Sequence, residues 1–354
     1  MIIKLRGWGC FLSTVVLCSV GCAQEPDALA LESEQPSQPQ QVQASPDNRE
    51  ITNITGDLYR ARSNNHYTVF LVTSEGIILA DPINTAFATW LKAEFEQRFD
   101  VPVRYVLYSH HHFDHASGGA VFADTAEFIG HENMLDGIRQ GMAGLPESEV
   151  ADDANGNGRI ERDEAAAALA AYFDEFDLDG DGSATGAEIM GAVRVPDRTY
   201  SDRMTLTLGG ETVELIHAGP SHSDDMTVLL FPAERAAFAV DFINVLRLPG
   251  PLDGASLDQW IASVGAMEAL DFDIAIPGHG AIGTKEDISA YRRYFEDLQV
   301  AVTRGIEAGA SVAELQRTIR LDAYQDWARY DTQLAVHIGE VYENLSSRSV
   351  GATD

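Results

Sequence analysis

The sequence predicts a layered α/β domain interrupted by a short acidic insertion and closed by C-terminal helices. Three observations predict it. Apolar runs of strand length alternate with a helical apolar spacing between residues 67 and 107. The alternation stops at about residue 147, resumes after residue 194, and gives way to helical patterns beyond residue 285. The block between the stops, residues 151–190, holds eleven acidic side chains against two arginines, a local shift in composition.

At 354 residues, with 45% apolar side chains, the chain is long enough for an ample core. Its 55 acidic residues against 24 basic ones give a formal charge of −31, which argues against nucleic acid as a partner. All three cysteines, Cys10, Cys18 and Cys22, fall in the first 22 residues. The rest of the chain has no disulfide and no thiolate ligand, so a metal must be held by His, Asp, Glu or carbonyl oxygen.

Residues 1–22 read as an export signal. Lys4 and Arg6 precede an apolar run from Trp8 to Val20, which falls short of the roughly 20 residues that span a bilayer. The run ends in Ser19-Val20-Gly21-Cys22, which resembles a bacterial lipobox whose cysteine is lipidated, with serine in place of the usual leucine. Residues 23–50, rich in Gln, Ser, Pro, Glu and Ala, bury too little to fold and read as a tether. The expectation is an exported protein of the bacterial periplasm, lipid-anchored through Cys22.

The folded part is expected from residue 51, its first portion spanning 51–146. Strands at 67–72 and 77–80 flank the Ser74-Glu75-Gly76 turn, and the second ends in Asp81-Pro82. Phe87, Leu91, Phe95 and Phe99 give 85–99 a helical spacing, followed by a strand at 103–107. That strand empties into His110-His111-His112-Phe113-Asp114-His115, four histidines and an aspartate in six positions, before Gly118-Gly119. Neutral imidazoles and a carboxylate suit zinc, with iron or manganese as alternatives. Residues 121–123 and 128–130 read as continuing strands, with a helix near 132–141.

The insertion, 147–194, carries two matching twelve-residue loops. The first offers Asp153, Asn155, Asn157, Arg159, Glu161 and Glu164 at positions 1, 3, 5, 7, 9 and 12, with Gly158 at 6. The second repeats the scheme with Asp177, Asp179, Asp181, Ser183, Thr185 and Glu188 around Gly182. Both match the EF-hand calcium loop, in which hard oxygens surround the ion, glycine permits the bend and the last glutamate binds through both oxygens. Up to two calcium ions are expected. The loops begin only 24 residues apart, so one helix over 164–176 is expected to serve both, as in the compact pairs of exported bacterial proteins. Ala184 stands where a larger apolar residue usually ties such loops together, which predicts that the second site, or the coupling between the two sites, is weaker. Leu169, Phe173 and Phe176 are the expected small shared core.

The second portion, 195–348, opens with a hairpin at 204–208 and 212–216 around Gly209-Gly210. Strands follow at 227–231, 236–240 and 274–276, with helices at 256–270, 285–308, 312–319 and 331–345. The segment 245–255, with Leu246, Leu248 and several Pro and Gly residues, is the candidate substrate-facing loop.

The cluster fits His-x-His-x-Asp-His as His110, His112, Asp114 and His115, and with it the chain resembles the metallo-β-lactamase-fold hydrolases. Three further segments resemble that superfamily's remaining motifs in order: Gly219-Pro220-Ser221-His222-Ser223-Asp224, Phe238-Ala239-Val240-Asp241 and Pro277-Gly278-His279-Gly280. The resemblance covers roughly residues 55–300 apart from the insertion. It implies the four-layer αβ/βα sandwich with metals at one edge of two facing sheets. It also implies a first metal on His110, His112 and His222, a second on Asp114, His115 and His279, and Asp241 shared between them. Two such dications lower the pKa of a bridging water toward neutrality, and Asp114, the implied catalytic residue, orients the nucleophile and shuttles a proton. His66, His131, His217 and His337 lack a partner motif and read as structural or surface residues, with His111 at a variable position.

The resemblance implies a hydrolase acting on a small-molecule ester, lactone or amide, nearer the glyoxalase-like and lactonase-like branches. Lactamases with a cysteine ligand are excluded, and other β-lactamase activity stays an alternative. A calcium-responsive binding protein on a hydrolase-like fold and a di-iron redox protein are the alternatives from other classes. The filled ligand set favours an enzyme, and no electron-carrier domain is visible.

Overall fold

The computed structural model describes residues 48–252 and 255–351. The signal segment, Cys22 and nearly all of the tether lie outside the described residues.

Four strands open the domain as an antiparallel meander: β1 (Arg49–Thr55), β2 (Leu58–Ser63), β3 (His66–Thr73) and β4 (Gly76–Ala80). The chain crosses back through α1 (Thr85–Arg98), so β5 (Val103–Leu107) lies parallel to β4. Asn84 starts α1 by accepting the Phe87 N–H at 2.8 Å, and Phe87, Leu91 and Phe95 bury one face of the helix. The one-turn α2 (Phe113–Ala116) leads to β6 (Glu127–His131), parallel to β5, and then to α3 (Met134–Ala143). The insertion contributes β7 (Arg159–Glu161), α4 (Ala167–Ala171), α5 (Phe173–Phe176), β8 (Ser183–Thr185) and α6 (Gly186–Gly191). Then β9 (Arg198–Tyr200) pairs with β6 and completes a seven-stranded sheet in the order β1-β2-β3-β4-β5-β6-β9.

The second sheet begins with β10 (Arg203–Leu208), β11 (Glu211–His217), β12 (Thr227–Phe231) and β13 (Ala236–Ala239), each antiparallel to the last. After α7 (Leu257–Glu268), β14 (Ile274–Pro277) lies parallel to β13 and β15 (Gly283–Thr284) closes the edge. The chain ends in α8 (Lys285–Glu307), α9 (Val312–Thr318) and α10 (Tyr330–Gly351). Capping boxes start α7 (Ser256 with Gln259) and α8 (Thr284 with Asp287).

Three hydrophobic clusters define the layers. Phe70 and Leu79 point to α1, while their strand neighbours Leu71 and Ile78 point the other way, toward Leu215, Leu229 and Phe238 of the second sheet. Val228, Leu230 and Ala237 pack on Trp260 and Val264 of α7 and Ile288 and Tyr291 of α8. Helix, sheet, sheet, helix is thus the order, a mixed α/β four-layer sandwich.

Several elements differ from the sequence reading. β1 opens at Arg49, ahead of the expected start at residue 51. Residues 119–122 form a 3₁₀ turn rather than a strand, because Gly118 adopts φ +81° and a Cβ there would meet the Asn84 carbonyl carbon at 2.4 Å. The expected continuous helix over 164–176 is instead α4 and α5, broken at Tyr172 (φ −129°, ψ 27°). Leu169, Phe173 and Phe176 do not form a separate core: they join Phe113, Phe87 and Leu91 in the first sheet's helix layer. Across β7 and β8, Ile160 stands opposite Ala184, both fully buried.

Candidate metal centre

The site grows from the ends of parallel strands, where α/β folds place ligands. Beyond β5, the Ser109 N–H donates to Asp81 Oδ1 at 2.8 Å and the Ser109 carbonyl accepts the Thr227 N–H at 2.8 Å. The extended segment is therefore pinned between the two sheets, and His110 and His112 lie on it before α2 turns Asp114 and His115 inward. Asp81 is fully buried and its carboxyl is pushed up to about 6, mainly by burial, against the opposing pull of His115 and the Ser109 N–H. The other strands deliver His222 from the turn between β11 and β12, Asp241 just after β13, and His279 just after β14.

Two groups of side chains converge. His110, His112, His222 and Asp241 each offer one ligand atom within 4.8 Å of the others, and so do His66, Asp114, His115 and His279. Asp241 joins the groups: its Oδ2 lies 3.6 Å from Nε2 of both His110 and His222 and 3.2 Å from His115 Nε2, and its Oδ1 lies 3.1 Å from His279 Nε2. All seven residues of the implied ligand set therefore stand together. His66 is an eighth that the sequence reading assigned a structural or surface role. That reading is corrected: its Nε2 lies 3.1 Å from Asp114 Oδ2, and its ring packs edge-on against His279 at 4.7 Å. No motif marks His66, because it begins β3 and reaches the site only through the sheet.

The donor set fits two dications. Nε2 of His110 is buried with no hydrogen-bond partner among the described groups, and Nε2 of His115 meets the shared Asp241 carboxylate. His110 Nδ1 lies 2.9 Å from Ser109 Oγ, and His279 Nδ1 donates to the Asn65 carbonyl at 2.8 Å, so each ring is oriented with Nε2 facing the cluster. Burial pushes His110 down to about 3, with Asp241 opposing. Burial also acts on His115, but Asp241 and Asp114 outweigh it and raise the imidazole to about 10. Asp241 lies well below the usual carboxylate range: burial opposes this, and His115 and His279 impose it. A carboxylate held anionic among imidazoles is what a pair of cations requires.

Other residues near the centre carry no motif. Arg60 is buried in β2 with its guanidinium 3.5 Å over the Tyr67 ring. It donates to the Pro277 carbonyl at 3.0 Å and the Gly280 carbonyl at 2.8 Å, holding the loop that carries His279. A cavity of about 350 Å³ opens over the centre and is lined by His66, Asp114, His222, Asp241 and His279 together with Asn244, Arg247, Pro249 and Arg329. The 245–255 segment thus does line it, through Arg247 and Pro249, while Leu248 is fully buried. The Leu248 N–H donates to the Ala328 carbonyl at 2.9 Å, which sets Arg247 beside Arg329. Among the described residues no carboxylate pairs with either arginine; Arg247 Nη1 lies 3.4 Å from Asn244 Oδ1.

The remaining histidines sit elsewhere. His111 Nδ1 lies 3.0 Å from the buried Asp225. His131 and His217 stack at 4.0 Å, and each bonds a backbone carbonyl. His337 is buried under α8. In the insertion, Asn155 and Asn157 bond Glu161, and Asn155 also bonds Glu164. Arg159 reaches across to Asp181 and Ser183, and Thr185 caps α6 with Glu188.

Comparison with known proteins agrees with this geometry. The chain is 23% identical over 290 residues to a linear primary-alkylsulfatase of Pseudomonas sp. (strain ATCC 19151), covering 77% of this chain and 52% of that protein. It is 26% identical over 217 residues to the 2,4-dinitroanisole O-demethylase subunit alpha of Nocardioides sp. (strain JS1661), covering 60% and 51%. The chain thus spans about half the length of these curated relatives, and their names differ from the glyoxalase-like and lactonase-like branches expected. Among solved structures, a double mutant of a sec-alkyl sulfatase matches with TM-score 0.63 at 16% identity, over 84% of this chain and 50% of that one. A metallo-beta-lactamase from Pontibacter korlensis matches with TM-score 0.50 at 17% identity, over 70% and 99%. The family profile described as Metallo-beta-lactamase superfamily matches residues 66–279, more than half of the chain and bounded by two residues of the cluster, so the chain belongs to that superfamily.

Proposed function

We propose that the protein is a dinuclear metal-dependent hydrolase of small anionic esters. The observation that carries the substrate class is the arginine pair. Arg247 and Arg329 face the same cavity as the His/Asp centre, without carboxylate partners, in a chain of net charge −31. Two like cations set side by side at the mouth of a cavity repel each other unless an anion lies between them. Burial, and then Arg247, lower the Arg329 guanidinium from its ordinary value. The relatives named for alkyl sulfates support a sulfate ester; a carboxylate-bearing lactone, amide or β-lactam would present the same charge.

The residues divide the work. His110, His112 and His222 would hold one dication, Asp114, His115 and His279 the other, with Asp241 shared and His66 beside Asp114. Zinc suits these donors, with iron or manganese as alternatives. Two dications held there would supply Lewis acidity that brings the pKa of water toward neutrality and polarises the scissile group. Asp114 accepts a proton or orients the attacking water, and the His66 contact fixes its carboxylate. Arg247 and Arg329 bind the anionic group and orient the ester across the centre.

A screen of sulfate, phosphate and carboxylate-bearing esters, lactones and β-lactams against neutral esters tests this reading. Arg329→Ala should raise KM for the anionic substrate on the order of 10-fold or more and leave the neutral ester nearly unchanged. Equal effects on both would remove the arginines from substrate binding. The reading extends to location and calcium. Export and lipidation of Cys22 rest on the Ser19-Val20-Gly21-Cys22 motif, and calcium binding rests on the twin loop pattern. Cys22→Ser should move the protein from the membrane fraction to the soluble periplasm; an unchanged distribution would rule out the anchor.

A further inference from the structure

The two acidic loops use their last glutamates alike, Glu188 accepting the Leu178 and Thr185 N–H groups, but differ at the first aspartate, where Asp153 has both oxygens bonded. In the 153–164 loop the Glu164 oxygens accept the Asn155 and Glu161 N–H groups, and Glu161 accepts both asparagine amides. In the 177–188 loop Asp177, Asp179 and Glu188 bring ligand oxygens within 4.8 Å of one another. The Asp177 side chain is only 6% exposed. Its Oδ2 accepts the Gly182 N–H at 3.1 Å, but its Oδ1 is buried with no partner. A buried carboxylate oxygen with no donor is costly unless a cation meets it. An all-oxygen set of this charge selects a hard cation such as calcium.

The residue before Asp177 packs on a neighbour of the metal ligands. The Phe176 ring packs edge-to-face on Phe113 at 5.1 Å, and Phe113 lies between His112 and Asp114. The same short segment makes two more contacts, one with the start of α1 and one just ahead of His66. Glu175 accepts the Thr85 N–H at 3.0 Å and the Ala86 N–H at 3.3 Å. Tyr172 Oη lies 2.9 Å from Ser63 Oγ and 3.1 Å from Asn64 Nδ2, just before Asn65 and His66. A gap of only about 10 Å³ separates Tyr172 and Phe176 from His66 and Asp114, so a shift of this segment is passed on by contact.

We propose that the 177–188 loop is the tighter calcium site, against one of the two expectations from Ala184, and that α5 couples its occupancy to the second metal group. Calcium draws Asp177 and Glu188 together and fixes Phe176, which holds Phe113 and therefore Asp114 in place. The coupling rests on the dinuclear reading for its second partner, and on no assumption about the substrate.

Isothermal titration of the full-length, zinc-loaded protein with Ca²⁺ alone tests the site. Asp153→Asn should leave the tighter affinity intact and Glu188→Gln should weaken it at least 10-fold. The opposite pattern, or no calcium uptake, overturns the assignment. Zinc affinity by competition tests the coupling: calcium should tighten the second zinc on the order of 10-fold, and zinc should tighten calcium by the same factor. Phe176→Leu should keep calcium affinity and abolish the gain, and Tyr172→Phe, which keeps the ring, should reduce it. A gain that persists in both variants overturns the coupling. A gain that behaves as described in a protein that hydrolyses none of the screened esters would sink only the activity reading.

Discussion

Asp241 has φ +61°, a left-handed conformation that costs a non-glycine residue of the order of 1 kcal/mol or more. The strain places its carboxylate between the two groups of imidazoles, within reach of His110, His115, His222 and His279. Asparagine tolerates the same backbone but lacks the charge. Asp241→Asn should therefore keep the circular dichroism of the parent while bound metal falls from two toward one per chain; full stoichiometry would show that Asp241 is not shared. His66 makes a comparable case. His66→Phe removes the contact to Asp114, and the second metal should bind about 10- to 100-fold more weakly while the first is unchanged. The seven motif residues were legible because strand ends in this superfamily carry them at fixed spacings. His66 and Arg60 were not, because a strand register 40 or more residues from the cluster brings them in. Arg247 and Arg329 become a pair only through the contact between their two loops.

At the scale of elements, α10 is tied to the cavity loop by one buried histidine. Tyr294 Oη lies 2.7 Å from His337 Nδ1, and His337 Nε2 donates to the Gly250 carbonyl at 2.9 Å. Both ring nitrogens are used by the neutral form, and Arg329 is the charged group acting on it. Burial, with Arg329 adding to it, lowers the imidazole to about 4, while the Gly250 carbonyl opposes. The unfolded chain takes up the proton first, so this contribution is present above the unfolded pKa and is lost as pH falls from about 6.5 toward about 4. Between pH 7.5 and pH 5 the loss is about 2 kcal/mol. Urea unfolding of His337→Asn should show a flatter acid limb by that amount, and identical limbs would assign the acid sensitivity elsewhere. The apolar strands β3 to β5 and β12 to β14 read plainly in the sequence, as did the capped helices. β1 and β2 did not, because Thr52, Asn53, Arg60 and Arg62 hide their alternation. The helix break at Tyr172 is set by contacts with Ser63 and Asn64, which no local pattern records.

For the whole molecule, the metal centre is also a joint between the two sheets. The first sheet's half contributes His66, His110, His112, Asp114 and His115, and the second contributes His222, Asp241 and His279. Direct bonds across the joint include Thr227 to Ser109 and Tyr200, Tyr67 to Gly278, Arg60 to Pro277 and Gly280, His279 to Asn65, His111 to Asp225 and Asn133 to Asp224. Without cations, Asp114 and Asp241 sit partly buried together in a chain that already repels itself with a net charge of −31. Ions that bind only the folded state stabilise it by mass action, about 4 kcal/mol for each site held at roughly 1,000 times its Kd. For the roughly 300 described residues, with unfolding entropy near 2.1 cal/mol/K per residue, that raises Tm by roughly 6–13 °C. Melting of the zinc-loaded protein should therefore fall by this amount after chelation, with calcium held in excess so that the insertion stays unchanged. His112→Ala, lacking a first-metal donor, should melt low and recover little when zinc is added. Equal melting of loaded and stripped protein would mean that the sheets hold each other without the metals, and that the centre serves chemistry alone.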